Sequence, residues 1–207
     1  MIDAIVWDIG NVLIEWNPER HYDARFGEAR RRALFEAVDL HGMNDRVARG
    51  ASFEGEVRAT ARANPDFFDE IMEWHDGWLK MASPPIAHSI MLLKEVRSKG
   101  VPCFALSNFG VETFAFAETQ YPFLAEFDRR FISGHIRAIK PEAEIYERVE
   151  AESGVEPSRL LFTDDREDNL RAAEARGWQT HLFDGPEGWA ARLVEEGILS
   201  EAEAAER

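Results

Sequence analysis

From Gly100 onward the chain alternates short apolar runs with amphipathic stretches: VPCFAL, VETFAFAETQ, FIS, PEAEIYERVEAES, RLLFT, REDNLRAAEAR and QTHLF. Parallel strands need a crossover between them, and the usual crossover is a helix, so this alternation predicts a parallel sheet covered by helices on both faces. One more run of the same kind, AIVWD at 4–8, stands near the start and is apolar enough for a strand buried on both faces. Between it and the rest lie RHYDARFGEARRRALFEAVD, FEGEVRATARA and DFFDEIMEWHDGWLKM, charged and amphipathic, with no continuous strand-like run. The expectation is a discontinuous, doubly wound (Rossmann-like) α/β core domain, residues 1–15 and 85–207, with a helical cap domain inserted at 16–84. Pro84-Pro85 punctuates the return to the core, and the second proline suits the first turn of a helix carried by Ile86, Ile90 and Leu93 and stopped at Gly100. The acidic, alanine-rich tail from Glu195 reads as a solvated or frayed helix.

With 207 residues, 45% of them hydrophobic, the chain can bury a sizeable core as one domain carrying an insertion. Its 24 Lys and Arg stand against 39 Asp and Glu, a formal net charge of −15. Such an excess of carboxylates repels phosphate backbones and anionic lipid surfaces, so neither nucleic acid nor a membrane is expected as a partner. No apolar stretch approaches the roughly 20 residues that span a bilayer. MIDAIVWDIG also lacks the basic start and long apolar run of a signal peptide, and a cytoplasmic protein is expected. Cys103 is the one cysteine, which leaves no disulfide and no cysteine-rich zinc site, and its VPCFAL context predicts a small buried side chain.

In open parallel sheets ligands bind beyond the carboxyl ends of the strands, so polar residues just after apolar runs are the first candidates. Three runs end this way, giving Asp8, then Ser107 and Asn108, then Asp164 and Asp165; Lys140-Pro141 stands before a predicted helix. Singly, each has an ordinary reading as a turn residue, a helix cap or a surface lysine. Together they supply a nucleophile, neutral donors, a cation and an acidic pair, a combination that four unrelated caps would not be expected to make.

The set resembles the haloacid dehalogenase superfamily, whose four motifs stand here as WDIGNVL, ALSNFG, IKPEAEIY and LLFTDDREDN. The insertion after the first motif is similar to that superfamily's first class of helical cap. The forms D-x-G-N-V and D-D-x-x-x-N resemble its sugar-1-phosphate phosphatase branch. The resemblance implies hydrolysis of a small phosphorylated molecule, with the Asp8 carboxylate attacking phosphorus and water hydrolysing the aspartyl-phosphate. It further implies Mg²⁺ held by Asp8, the Gly10 carbonyl and Asp165, with Asp164 and Asn169 beside it. Lys140 would neutralise charge, and Ser107 and Asn108 would hold the phosphoryl oxygens. Several carboxylates at one sheet edge call for a compensating cation on physical grounds as well.

One position departs from the pattern. Phosphatases of the superfamily usually carry a second aspartate, the general acid and base, two residues after the nucleophile, where this chain has Gly10. Its loss predicts a bias toward good leaving groups, such as anomeric, aryl or acyl phosphates, with Glu15 the nearest replacement in sequence. The same gap supports an alternative, 2-haloacid dehalogenation by Asp8, which needs no proton donor; cap arginines such as Arg20, Arg25 and Arg30 could hold a substrate carboxylate, but the intact acidic pair favours phosphate chemistry. A third reading is a phosphate-binding module with negligible turnover. The six histidines show no metal-ligand spacing on one helix and read as surface or cap residues. Trp74 and Trp78, four apart, read as helix packing, while Trp16, at the junction with the insertion, is the better candidate for substrate contact. No P-loop or Gly-x-Gly-x-x-Gly pattern points to a nucleotide cofactor.

Overall fold

A computed structural model describes residues 1–206. Strand β1 (Ala4–Trp7) leads through a turn into β2 (Ile14–Trp16). Six helices follow: α1 (Pro18–Phe26), α2 (Glu28–Ala37), α3 (Leu40–Ala48), α4 (Phe53–Ala63), α5 (Phe68–Asp76) and α6 (Trp78–Met81). The chain returns along β3 (Ala82–Pro85) into α7 (Ala87–Ser98), β4 (Cys103–Ser107), α8 (Val111–Gln120), β5 (Arg129–Ile132) and α9 (Ser133–Ile136). It finishes with α10 (Ala143–Ser153), β6 (Leu160–Asp164), α11 (Glu167–Glu174), β7 (Gln179–Leu182), α12 (Pro186–Glu195) and α13 (Glu201–Ala204).

The five-stranded sheet has the order β5-β4-β1-β6-β7, and every pairing is parallel. This is the doubly wound α/β architecture that the alternation predicts. Side chains along β1 point alternately to two cores. Ile5 and Trp7 join the cluster under α7, α8 and α12, while Ala4 and Val6 join the one under α10 and α11. Period-two alternation of apolar residues on both faces is what a strand buried on both sides requires. Trp7 meets Trp189 of α12 edge-on at 5.2 Å between ring centroids, and Cys103 is fully buried, as its sequence context predicts.

Three local expectations differ from the structure. The expected boundaries at 15/16 and 84/85 fall inside a two-stranded ribbon: β2 and β3 pair antiparallel, with Trp16 opposite Ala82 and Ile14 opposite Pro85. Pro85 therefore ends a strand instead of opening a helix, and α7 begins at Ala87. Prolines are tolerated in this two-stranded ribbon because neither has a neighbour beyond it to bond. Likewise Pro141 precedes α10, whose N-cap is Glu142, and is joined to Lys140 by a cis peptide bond. The tail is packed and not frayed, for Leu199 and Ala204 are buried and α13 closes on a reciprocal Ser200–Glu203 capping box. Among the described residues no helix is long and apolar enough to cross a membrane.

Candidate active site

The carboxyl ends of β1, β4 and β6 lie side by side, which brings their terminal polar residues to one edge of the sheet. Asp8 follows β1 directly, and its Oδ1 accepts from the Ile9 amide at 2.7 Å, from Ser107 Oγ at 2.7 Å and from Lys140 Nζ at 2.9 Å. Among the described residues no donor meets Oδ2, which leaves that oxygen for a ligand.

Lys140 is 3% exposed and also donates to Asp164 Oδ2 at 2.6 Å. Burial opposes its charge, but the Asp164 and Asp8 carboxylates outweigh burial and hold its pKa above the ordinary lysine value. Asp164, wholly buried at the end of β6, also accepts from Asn169 Nδ2 and from the Arg166 amide. Both of its oxygens are thus engaged in fixing Lys140 and the start of α11. Asp165 is less enclosed and faces Asn11, whose Nδ2 donates to it at 2.9 Å. Burial pushes the Asp8 carboxyl up to about 7, against the pull of Lys140 and with Asp164 and Asp165 adding to the rise. Burial likewise raises Asp165.

One carboxylate oxygen from each of Asp8, Asp164 and Asp165 lies within 4.8 Å of the other two. Three carboxylates and a single ammonium leave surplus negative charge at this edge; burial raises Asp8 and Asp165, and the neighbouring carboxylates add to the rise. Asn169 Oδ1 is buried without a hydrogen-bond partner among the described residues, an orphaned acceptor beside the same cluster. An all-oxygen donor set, surplus negative charge and an unmet acceptor together fit a hard divalent cation.

The structure brings all eight residues singled out from sequence to this edge, and two of them show local features that sequence does not specify. Asn108 spends its side-chain amide on the Lys140 backbone, accepting from Lys140 N at 2.8 Å and donating to Lys140 O at 3.1 Å. It thereby positions the lysine at the edge of the cavity that Asn108 also lines. Gly10 does not adopt a left-handed conformation, and a Cβ built on it meets nothing within 4 Å. Glycine there reflects open space, not backbone necessity.

Sequence reasoning missed Asn11. It takes a left-handed φ of 55°, a conformation asparagine tolerates better than most residues, and its Oδ1 accepts from the Trp16 amide at 2.8 Å. One side chain thereby ties the first turn, the acidic pair and the entry into the helical segment. Its place in the Gly10-Asn11 turn was the available signal.

A cavity of about 320 Å³ lies over Asp8, Lys140 and Asp165. Trp16, Trp78 and Phe109 line it, with Trp78 set 6.2 Å from Trp16 and 5.8 Å from Phe109 between ring centroids. Trp74 instead packs in the core, so the Trp74–Trp78 pair divides between packing and lining. Asn44 and Asp45 of α3 form a polar side of the cavity. Glu15 reaches the cavity but is ion-paired to Arg20 at 2.5 Å in an exposed position.

Comparisons with known proteins bear on this arrangement. A family model described as a haloacid dehalogenase-like hydrolase matches residues 2–177. A sesquiterpene phosphatase, AstK of Aspergillus oryzae, is 26% identical over 194 residues, covering 87% of this chain and 90% of the relative. Among solved structures, a HAD-family enzyme of Bacteroides thetaiotaomicron superposes with a TM-score of 0.74 at 22% identity, covering 93% of this chain and 98% of that one. The wild-type form of that enzyme in complex with magnesium and inorganic phosphate gives 0.68, again at 22% identity, over 87% and 93%. An L-2-haloacid dehalogenase of Xanthobacter autotrophicus with chloropropionic acid covalently bound gives 0.62 at 19% identity, over 99% and 87%.

Proposed function

The chain belongs to the haloacid dehalogenase-like hydrolases, and from that premise we propose that it is a Mg²⁺-dependent phosphomonoesterase working through an aspartyl-phosphate on Asp8. The observation that carries this reading is the Asp8 carboxylate, fixed through one oxygen by Ile9, Ser107 and Lys140 and open to the cavity through the other. The intact acidic pair beside it supports phosphate over halide chemistry, since carbon attack with halide departure needs no metal. The Bacteroides enzyme's complex with magnesium and phosphate agrees with that preference.

Asp8, Asp165 and the Gly10 carbonyl would hold the cation, with Asn169 beside it and Asp164 behind, its oxygens committed to Lys140, Asn169 and the Arg166 amide. Bound there, Mg²⁺ would supply charge neutralisation for the incoming phosphoryl oxygens. The chain's own residues do the rest. Ser107 and Lys140 keep the Asp8 carboxylate oriented, the attack of Asp8 breaks the ester P–O bond, and Lys140 offsets the negative charge gathering at the transferred group. The helices between β2 and β3 act as a cap over the strand ends, excluding water once substrate is in place.

The leaving oxygen finds no aspartate at position 10 to protonate it, so esters of acidic alcohols should turn over best. A sugar phosphate fits this requirement when anomeric, with Asn44 and Asp45 available to its hydroxyls. A second reading, an apolar ester, is favoured by the wall of Trp16, Trp78 and Phe109 and by the name of the Aspergillus relative; an aryl phosphate also meets the leaving-group requirement, whereas an isoprenoid phosphate meets the apolar one alone. Purified protein and its Asp8→Asn variant would be assayed, with and without Mg²⁺, on sugar 1-phosphates, p-nitrophenyl phosphate, a sesquiterpenyl phosphate and 2-chloropropionate. Mg²⁺-dependent phosphate release that the variant loses by at least about 10³-fold is expected. Metal-independent chloride release would overturn the reading in favour of dehalogenation, and ligand-induced stabilisation without turnover would leave a binding module.

A further inference from the structure

The first turn of α7, the first turn of α12 and the chain beyond α13 meet around a second cavity, also of about 320 Å³, which shares no lining residue with the first. His88 of α7 lies against it, 7% exposed, with its Nε2 2.9 Å from the Ala204 carbonyl. A carbonyl can only accept, so Nε2 carries the proton and donates. In the neutral ring that leaves Nδ1 with a lone pair, and Nδ1 is buried with no hydrogen-bond partner among the described residues. Such an orphaned acceptor costs free energy unless something meets it. Two carboxylates stand opposite: one ligand atom from each of His88, Glu187 and Glu206 falls within 4.8 Å of the others.

We propose that His88, Glu187 and Glu206 form a site for a divalent transition metal, Zn²⁺ foremost, separate from the active site. The donor set argues for that class of ion. Imidazole nitrogen and carboxylate oxygen are both zinc ligands, and three of them leave a fourth position for water, whereas Mg²⁺ prefers oxygen ligands throughout. The Nε2–H bond to Ala204 is the outer partner that fixes the tautomer and aims the other nitrogen, as metal-binding histidines usually require. Ligand bonds near 2 Å would demand that the carboxylates draw inward, and both glutamates are exposed and free to rotate. A bound ion would clip the first turns of α7 and α12 to the segment after α13.

The test uses full-length protein in millimolar Mg²⁺, which occupies the oxygen-rich active site, titrated with Zn²⁺ against a chromophoric chelator. One Zn²⁺ per chain is expected, and at a hundredfold excess over its dissociation constant the melting temperature should rise by about 5–10 °C. Glu187→Gln, an exposed and structurally mild change, should weaken binding at least tenfold, Glu206→Gln should do the same, and His88→Gln should abolish it. Asp165→Asn should leave it intact. Co²⁺ in place of Zn²⁺ should give the visible absorption of a tetrahedral nitrogen-and-oxygen site. The proposal fails if no stoichiometric Zn²⁺ binds in excess Mg²⁺, if binding survives Glu187→Gln and His88→Gln, or if Asp165→Asn removes it. Failure with Mg²⁺-dependent phosphatase activity intact would overturn the metal site while leaving the proposed function standing.

Discussion

Two sets of ion pairs in this molecule use the same chemistry at very different depths. Lys140 lies between Asp8 and Asp164 with side-chain exposures of 1%, 9% and 0%, whereas Arg49 at the end of α3 grips Glu142 of the core with both partners more than 40% exposed. At the strand ends, removing one partner strands a charge where water cannot reach it; around Arg49 and Glu142, water replaces the lost partner. The geometry around Asp8 is therefore fixed by mutual necessity, whereas this exposed pair can be exchanged, the buried contacts of the seam such as Ser133 Oγ to the Ala48 carbonyl being another matter. Chemistry and substrate choice can then be altered by separate mutations.

The largest break in that contrast is expected from Lys140→Met. It leaves Asp8 and Asp164 buried without their shared cation, and a loss of about 3–5 kcal/mol of stability is predicted from urea denaturation, together with loss of turnover. The double change Lys140→Met with Asp164→Asn should recover part of the stability but none of the activity. A stability loss below about 1 kcal/mol for the single variant would show that water reaches the cluster.

Next in size is a gain. A side chain at position 10 meets open space in an ordinary backbone conformation, so Gly10→Asp should fold normally and place a carboxyl where related phosphatases carry their general acid. Turnover of an alkyl phosphate should rise by about 10²-fold or more, while p-nitrophenyl phosphate, whose leaving group needs no proton, should change little. An equal effect on both esters would show that proton donation is not what Gly10 lacks.

On the cap side the effects shrink. Trp16→Leu removes one plane of the aromatic wall while leaving Asp8 untouched. The KM for an apolar ester should rise about tenfold with kcat nearly unchanged, and a sugar phosphate should be affected less. An equal rise for both esters would assign Trp16 to packing against Trp74 and Trp78, which its ring contacts also allow.

The division between regions also governed what could be read from sequence. Asp8, Ser107, Asp164 and Asp165 were legible because each closes an apolar run, and the end of a buried parallel strand is a position that topology makes functional. Lys140 was legible through the motif around it. Asn108 was found, but its bond to the Lys140 backbone was not legible, because propensity cannot tell an amide that meets a ligand from one that meets a backbone. Asn11 was passed over as a turn residue, although its turn geometry is what points its amide at Asp165. The β2–β3 ribbon left no trace, since three residues and a stretch with two prolines carry neither length nor period. His88 looked like any polar residue in a helix; its burial depends on α13, which folds back from more than 100 residues away.

The smallest expected effect is the sharpest test of the opening contrast. Arg49 Nη1 and Nη2 donate to the two Glu142 oxygens at 3.0 and 2.6 Å, and the guanidinium is the leading cause holding the Glu142 carboxyl below its ordinary pKa. Despite that paired geometry, exposure and salt should limit the contribution to stability to about 0.2–1 kcal/mol, so Arg49→Ala should barely shift a urea midpoint. Because Glu142 is depressed, its share of stability is present above the ordinary glutamate pKa and fades as pH falls through the lowered one. The small wild-type advantage over the variant should accordingly vanish in acid and in high salt. The pair bridges α3 to the residues after Lys140, so its removal should still register in KM if it holds the cap over the cavity. A loss comparable to that of Lys140→Met would mean that the seam is dry and that cap and core form one rigid unit; a KM change without a stability change would place the pair in cap closure.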